Sequence, residues 1–338
     1  MKLNLDAKYY VAPQHFESER EAIFNKTWQL IGPSSSLMHS GDYVSEDIAG
    51  ARVLAIRSRD GKLRGFRNVC RHRGALLLNR GEGRCHTLRC PYHNWLYDDA
   101  GNLINAPWFA DDEDLNLDEW HLESISIEIW RGLVFVCIDP RESLIHQLGA
   151  IVGELEDVPV QDYLCTHSEK LSFDGNWKIY TDNFVEGYHI PGIHPEFYDA
   201  IHFDQFETEA KVGYVKMTAP AKKDLFYKGR WYWMWPNWTL SLFEGGINTS
   251  RINPIDHQHT ELIYHFYFND DSDETQALRE DIIRQNLAVV KQDFQICIDT
   301  HKNYASGGYQ PGPLSPRHEQ GVGYFQQRYR DSVHPGSF

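Results

Sequence analysis

Cys70-Arg71-His72 and, further along, Cys90-Pro91-Tyr92-His93 set two thiols and two imidazoles in short mixed pairs. Two thiolates can bind one iron of a [2Fe-2S] cluster while two neutral imidazoles bind the other, which raises the potential above that of an all-cysteine cluster. Such a centre passes electrons singly. A tetrahedral zinc ion is the competing occupant. Zinc clamps favour Cys-x2–4-Cys pairs, whereas each short pair here mixes one Cys with one His, so ligand order favours the cluster.

A second constellation follows. Glu186-Gly187-Tyr188-His189 places a carboxylate one helical turn before an imidazole, on the same helix face. Pro191 and Gly192 then end the helix, and His194 arrives five residues after His189. That spacing does not suit one regular helix, but a helix end plus a turn can aim both rings at one ion. A carboxylate from elsewhere would complete a two-His-one-carboxylate set with open positions, as in non-haem Fe(II) oxygenases.

A long periodic segment near the C-terminus offers that carboxylate. Leu278, Ile282, Ile283, Leu287, Val290, Phe294 and Cys297 form its apolar stripe. At about 100° per residue, Asp293 lies roughly 60° from Val290, inside the stripe, whereas Asp281 and Asp299 fall about 180° away. A buried carboxylate needs a metal or a basic side chain beside it, so a salt-bridged core Asp is the alternative on geometry alone.

The elements that must position these groups divide the chain. Residues 16–28 read as a short helix, with Phe16, Ile23, Phe24 and Trp28 at helical spacing. After Gly41 come short β-like runs broken by turns: ARVLAIRS, the Asp60-Gly61 turn, KLRGFRNV and GLVFVCID. The second half opens with LSFDGNWKIY and leads into a helix carrying DNFVEGYH. Strand-like WYWMWPNWTLSLF and HTELIYHFYF follow, then a helix from about Thr275 to Asn303. The pattern is α+β, an antiparallel sheet with a long helix, behind an all-β domain. The expected divisions are an N-terminal helical segment at 1–39, a cluster-binding domain at 40–148 and a catalytic domain at 149–338.

The chain of 338 residues is long enough for two domains with separate cores. A formal net charge of −15 and the lack of any basic run argue against nucleic acid as a partner. An acidic surface can steer a basic electron-transfer partner or a cationic substrate. No apolar run reaches the roughly 18 residues that span a bilayer. The N-terminus shows no apolar core after a basic stretch, so a cytoplasmic protein is expected, its six cysteines held as thiols or metal ligands. Gly81-Glu82-Gly83 lacks the third glycine and the strand-to-helix setting of a dinucleotide loop.

The run FRNVCRHRGALLLNRGEGRCHTLRCPYHNWLY resembles the Rieske domain of ring-hydroxylating oxygenases. That resemblance makes Cys70 and Cys90 the sulfur ligands and His72 and His93 the nitrogen ligands. Respiratory-type Rieske proteins add one cysteine to each ligand loop and bridge the loops; neither loop has that cysteine here, and Cys85 reads as a packed or surface thiol. Asn94 stands where the family usually has Gly, and Asn tolerates the left-handed backbone such a turn needs. NWKIYTDNFVEGYHIPGIHP, VVKQDFQIC and LSPRHEQGVGYF resemble the catalytic domain of Rieske non-haem iron oxygenases, which has a helix-grip fold. Carried over by position, His189, His194 and Asp293 are the Fe(II) ligands. Glu186 takes the place of a bridging carboxylate that is usually Asp, and Asn183 that of a polar residue beside the iron.

The resemblance implies a terminal oxygenase that uses O2 and receives electrons from a separate NAD(P)H-dependent reductase, with or without a ferredoxin. It implies a homotrimer in which electrons pass from His93 to Glu186 of the next chain and on to His189. The wording of DNFVEGYHIPGIHP, with Glu at the bridge, is similar to the branch of choline, betaine and carnitine monooxygenases. Trp231, Tyr232, Trp233, Trp235 and Trp238 read mostly as sheet core, with an aromatic pocket that cages a quaternary ammonium as the sharper expectation. Aromatic-ring hydroxylation or O-demethylation is the alternative. A Rieske electron carrier with an inert second domain would not need His189, His194 and an inward Asp293. A carboxylate-bridged di-iron site would want a second Glu-x-x-His pair, and only His189 has Glu three residues before it.

Overall fold

The computed structural model describes residues 3–109, 116–222 and 227–334, with the side chains of 227 and 228 left aside. The chain forms two compact units. One runs from Asn25 to Leu144; the other joins the residues up to Phe24 with Ile145 onward.

The first unit is all β. Its strands are β1 (Gln29–Pro33), β2 (Asp42–Ile48), β3 (Ala51–Arg57), β4 (Leu63–Arg67), β5 (Gly81–Arg84), β6 (Thr87–Arg89), β7 (Leu96–Asp98), β8 (Leu103–Asn105), β9 (Ser124–Trp130) and β10 (Leu133–Cys137). Among the described residues they form a seven-stranded sheet in the order β1-β10-β9-β4-β3-β2-β5 and a three-stranded sheet β6-β7-β8. Gly81-Glu82-Gly83 lies in β5, paired with β2, a setting unlike a phosphate loop. Residues 29–33 were expected in a separate N-terminal segment, but register with β10, from Gln29↔Val136 to Pro33↔Leu133, draws them into this unit.

The expected helix at 16–28 instead begins at Pro13, as α1 (Pro13–Glu19), and continues as a π-turn to Phe24. Pro13 starts it because its missing N–H costs nothing in a first turn. Glu19, fully buried, accepts hydrogen bonds from Lys178 Nζ (2.6 Å), Trp177 Nε1 (2.7 Å) and Tyr329 hydroxyl (2.9 Å). A buried charge pair is tolerable only with its remaining lone pairs filled, and here they are. That network fastens the N-terminal segment to the second unit.

The second unit is built on a meander: β11 (Leu164–Phe173), β12 (Glu207–Lys211), β13 (Tyr214–Thr218), β14 (Tyr227–Met234), β15 (Trp238–Phe243), β16 (Gly246–Pro254) and β17 (Thr260–Phe268). The order is β11-β17-β16-β15-β14-β13-β12, every pairing antiparallel. Between β11 and β12 the chain forms α2 (Trp177–Phe184), α3 (Ile190–Ile193) and α4 (Pro195–Ala200); after β17 come α5 (Gln276–Ala305) and α6 (Gln320–Val333). The thirty residues of α5 contain neither Gly nor Pro, and the helix stops where Gly307 takes φ +78°. Phe294 of α5 stacks on Phe173 of β11 at 5.1 Å and meets Tyr180 of α2 edge-on. No described helix is long and apolar enough to cross a membrane.

Candidate functional site

The two cysteine–histidine loops are built alike. Cys70 N–H bonds Ala75 carbonyl and Gly74 N–H bonds Cys70 carbonyl; Cys90 N–H bonds Trp95 carbonyl and Asn94 N–H bonds Cys90 carbonyl. In each loop the fourth residue after the cysteine is left-handed, Gly74 at φ +72° and Asn94 at φ +60°. Asn94 thus does what glycine does at the matching turn, as its residue type leads one to expect. Both thiols are buried, and the His72 and His93 rings lie 4.6 Å apart, His72 stacked on Trp95. Burial pushes the Cys70 thiol up, and Tyr97 hydroxyl stands 3.4 Å from its sulfur. Burial next to His72 and Arg73 pulls His93 down, toward the neutral form a ligand needs.

Nδ1 of His72 and of His93 are buried without a hydrogen-bond partner. Unpaired buried polar atoms beside two buried sulfurs are what a metal cluster satisfies, so the residues fit one. Cys85 packs partly buried beside this core, and none of the six cysteines is in a disulfide.

In the second unit, His189, His194 and Asp293 bring ligand atoms within 4.8 Å of one another. Asp293 Oδ1 lies 2.9 Å from His194 Nε2 and 3.8 Å from His189 Nε2, yet it has no hydrogen bond and is buried. A buried carboxylate oxygen that faces two imidazole nitrogens without a hydrogen bond fits three donors aimed at one cation. The helical wheel holds: Asp293 is 7% exposed, and Asp299 lies on the outer face of α5. The buried stripe itself is Ile282, Asn286, Val290, Asp293, Cys297 and His301. Leu278, expected in it, is 58% exposed because the first turns of α5 extend past the core.

Glu186 departs from expectation in its backbone. Helix α2 ends at Phe184, so Glu186 and His189 do not share a regular helix face. Instead the Glu186 carboxylate accepts the backbone N–H groups of Tyr188 and His189, acting as a cap for the turn that enters α3, while Oε1 lies 2.5 Å from His189 Nδ1. Pro191 does not end a helix; it occupies the first turn of α3, where a proline is harmless. Burial opposes charge on His189, but Glu186 and Asp293 hold its pKa above the ordinary value. His194 Nδ1 meets Gln292 Oε1 at 2.7 Å. With both Nδ1 atoms engaged, Nε2 of each ring faces the triad. Gln292 was not foreseen: it sits one residue off the apolar stripe, and nothing in its spacing links it to His194.

A cavity of about 90 Å³ opens onto the triad. Asn183 lines it, as do Tyr180, Phe197, Phe206, Trp231 and Tyr264. Of the aromatic cluster only Trp231 reaches the cavity. Trp233 meets Phe325 edge-on, Trp235 carries the Arg328 guanidinium over its ring, Tyr232 donates to Glu154, and Trp238 is fully buried. The period-two alternation of β14 sends Tyr232 to the other face from Trp231.

A mixed Cys/His loop pair in a β domain, followed by a two-His-one-carboxylate cluster over a helix-covered antiparallel sheet, defines a Rieske oxygenase. The chain belongs to that family: residues 27–120 match the Rieske [2Fe-2S] domain, and 160–222 and 204–334 match the ring hydroxylating alpha subunit (catalytic domain). It is the terminal oxygenase component of such a system, an oxidoreductase with a Rieske cluster and a mononuclear iron. It is 30% identical over 329 residues to the carnitine monooxygenase oxygenase subunit of Escherichia coli (strain K12), covering 90% of this chain and 85% of that one. It is 25% identical to the chloroplastic choline monooxygenase of Atriplex hortensis, covering 94% and 75%. A solved quaternary ammonium Rieske monooxygenase superposes with a TM-score of 0.88 at 25% identity, covering 97% of this chain and 95% of that one.

Proposed function

We propose that this oxygenase acts on a small quaternary ammonium compound, hydroxylating it or removing a carbon group from its nitrogen. The observation that carries this is the aromatic wall of Trp231, Phe197 and Phe206 in the cavity that opens onto His189, His194 and Asp293. A methylated ammonium cannot donate hydrogen bonds and is held by ring faces, worth about 0.5–2 kcal/mol for each well-placed ring. The relatives named for carnitine and choline, and the solved quaternary ammonium enzyme, support the same class.

In this reading Cys70, Cys90, His72 and His93 hold the cluster, and His189, His194 and Asp293 hold the iron. When bound, the cluster supplies electrons one at a time and the iron activates O2 for transfer to carbon. The chain's own groups set the stage for that chemistry. Glu186 keeps the His189 proton on Nδ1, Gln292 does the same for His194, and the apolar rings exclude water from the cavity. Asn183 contributes a neutral polar edge beside the triad.

Electrons come from a separate reductase, with or without a ferredoxin. The working assembly is a homotrimer in which His93 of one chain passes electrons to Glu186 and His189 of the next; the solved relative is described in terms of inter-subunit electron transfer. A cytoplasmic setting is consistent with six cysteines that form no disulfide. The test is product analysis by mass spectrometry under labelled dioxygen, with trimethylammonium compounds offered beside small aromatics. Label in a product derived from an ammonium compound is expected; label only in ring-hydroxylated aromatics overturns the proposal.

A further inference from the structure

The cavity floor has a polar end that neither the triad nor the aromatic wall uses. Cross-strand register sets Met217 of β13, Trp231 of β14, Ser241 of β15 and Asn248 of β16 in one row across the sheet. All four line the cavity. Asn248 is 1% exposed, and neither its Oδ1 nor its Nδ2 has a hydrogen-bond partner. A buried amide left in that state is destabilising, and in a cavity floor it is satisfied by whatever the cavity receives.

The charge of the walls limits what that is. Among the described lining residues there is no Lys or Arg, and the carboxylates are Glu186 and Asp293. A carboxylate on the substrate would meet no cationic side chain there. A hydroxyl or carbonyl needs none, and one primary amide offers it both a donor and an acceptor. Trp231 and Asn248 stand two strands apart, about 10 Å, which leaves a short carbon spacer between a ring-bound ammonium and an amide-bound oxygen.

We infer that Asn248 reads an uncharged polar end of the substrate, so that the compound handled is a small quaternary ammonium bearing a hydroxyl or carbonyl rather than a carboxylate. The inference rests on the quaternary ammonium reading above. Asn248 is a specificity residue in it: it binds the substrate end remote from the reacting carbon.

The test uses three trimethylammonium probes that differ only in the tail: 2-hydroxyethyl, n-propyl and carboxymethyl. Each is titrated calorimetrically into the iron-loaded holoenzyme. The hydroxyethyl probe is expected to bind about tenfold or more tightly than the propyl probe, the ratio one well-placed hydrogen bond gives. Asn248→Leu should erase that ratio by weakening the hydroxyethyl probe alone. Asn248→Ser, smaller and still polar, should reduce it, and its cluster absorption and thermal midpoint report a folded protein. A ratio that survives in the variants, or a carboxymethyl probe that binds the wild type most tightly, overturns the role of Asn248 while leaving the quaternary ammonium reading in place. Failure of all three probes to bind overturns that reading, and this inference with it.

Discussion

Removing the Glu186 carboxylate should loosen the second-unit iron and leave the cluster untouched. That carboxylate meets His189 Nδ1 at 2.5 Å and also accepts the N–H groups of Tyr188 and His189. Its side chain is only 9% exposed, so water does not replace it freely. A hydrogen bond to a charged group contributes about 1.5–3 kcal/mol, and loss of the carboxylate behind a ligating imidazole weakens metal binding by about 10–100-fold. Glu186→Ala removes both functions and should sit at the upper end of that range. Glu186→Gln keeps the shape and an acceptor but not the charge, and should sit near the lower end. Competition against a calibrated chelator gives the iron affinity, and absorbance of the [2Fe-2S] cluster gives its content in the same sample. With iron added to saturation, both variants should still lose coupled turnover, read as product formed per electron supplied, because the proposed path from His93 of a neighbouring chain runs through this carboxylate to His189. Wild-type iron affinity together with full coupling in Glu186→Ala would refute both functions.

Asp182, partly buried beside Tyr10 and Gln326, has its pKa pushed up to about 7 by burial. A carboxyl raised in the fold above its unfolded value takes up protons on folding, so its ionisation subtracts stability progressively between about pH 4 and pH 7. Thermal midpoints across that window should fall more steeply with pH for wild type than for Asp182→Asn; parallel curves would contradict this. Asn94→Gly should be tolerated, whereas Asn94→Ala should cost about 1–2 kcal/mol through its left-handed φ, measured by denaturant unfolding of the cluster-loaded protein. Gly321→Ala would place a Cβ 2.0 Å from the Val185 carbonyl oxygen, a backbone atom that cannot swing aside, so a loss of about 1–3 kcal/mol is expected together with lower iron occupancy next to Glu186. Trp231→Leu should raise KM for an ammonium substrate about three- to thirtyfold with little change in iron content, in line with loss of one cation–π contact.

The amino-acid sequence by itself determined which residues could bind metal. Cys70, His72, Cys90 and His93 are set by local spacing, because each loop is closed by hydrogen bonds within five residues of its cysteine. Asp293 was legible from helical period alone, since a stripe of apolar residues fixes which side of α5 turns inward. The left-handed turn at Asn94 was legible too, being a property of residue type. Only the tertiary structure decided the rest. The true backbone of Glu186 escaped a helical reading because its carboxylate caps a turn, and capping depends on where the chain bends after Phe184. Gln292 gained its partner from a segment almost a hundred positions away. Which aromatic ring enters the cavity followed from the pairing of β14 with its neighbours, and the row that ends at Asn248 crosses four strands whose alignment no single strand encodes. Short-range chemistry is written in spacing; contacts between distant segments exist only once sheet register and helix packing have brought them together.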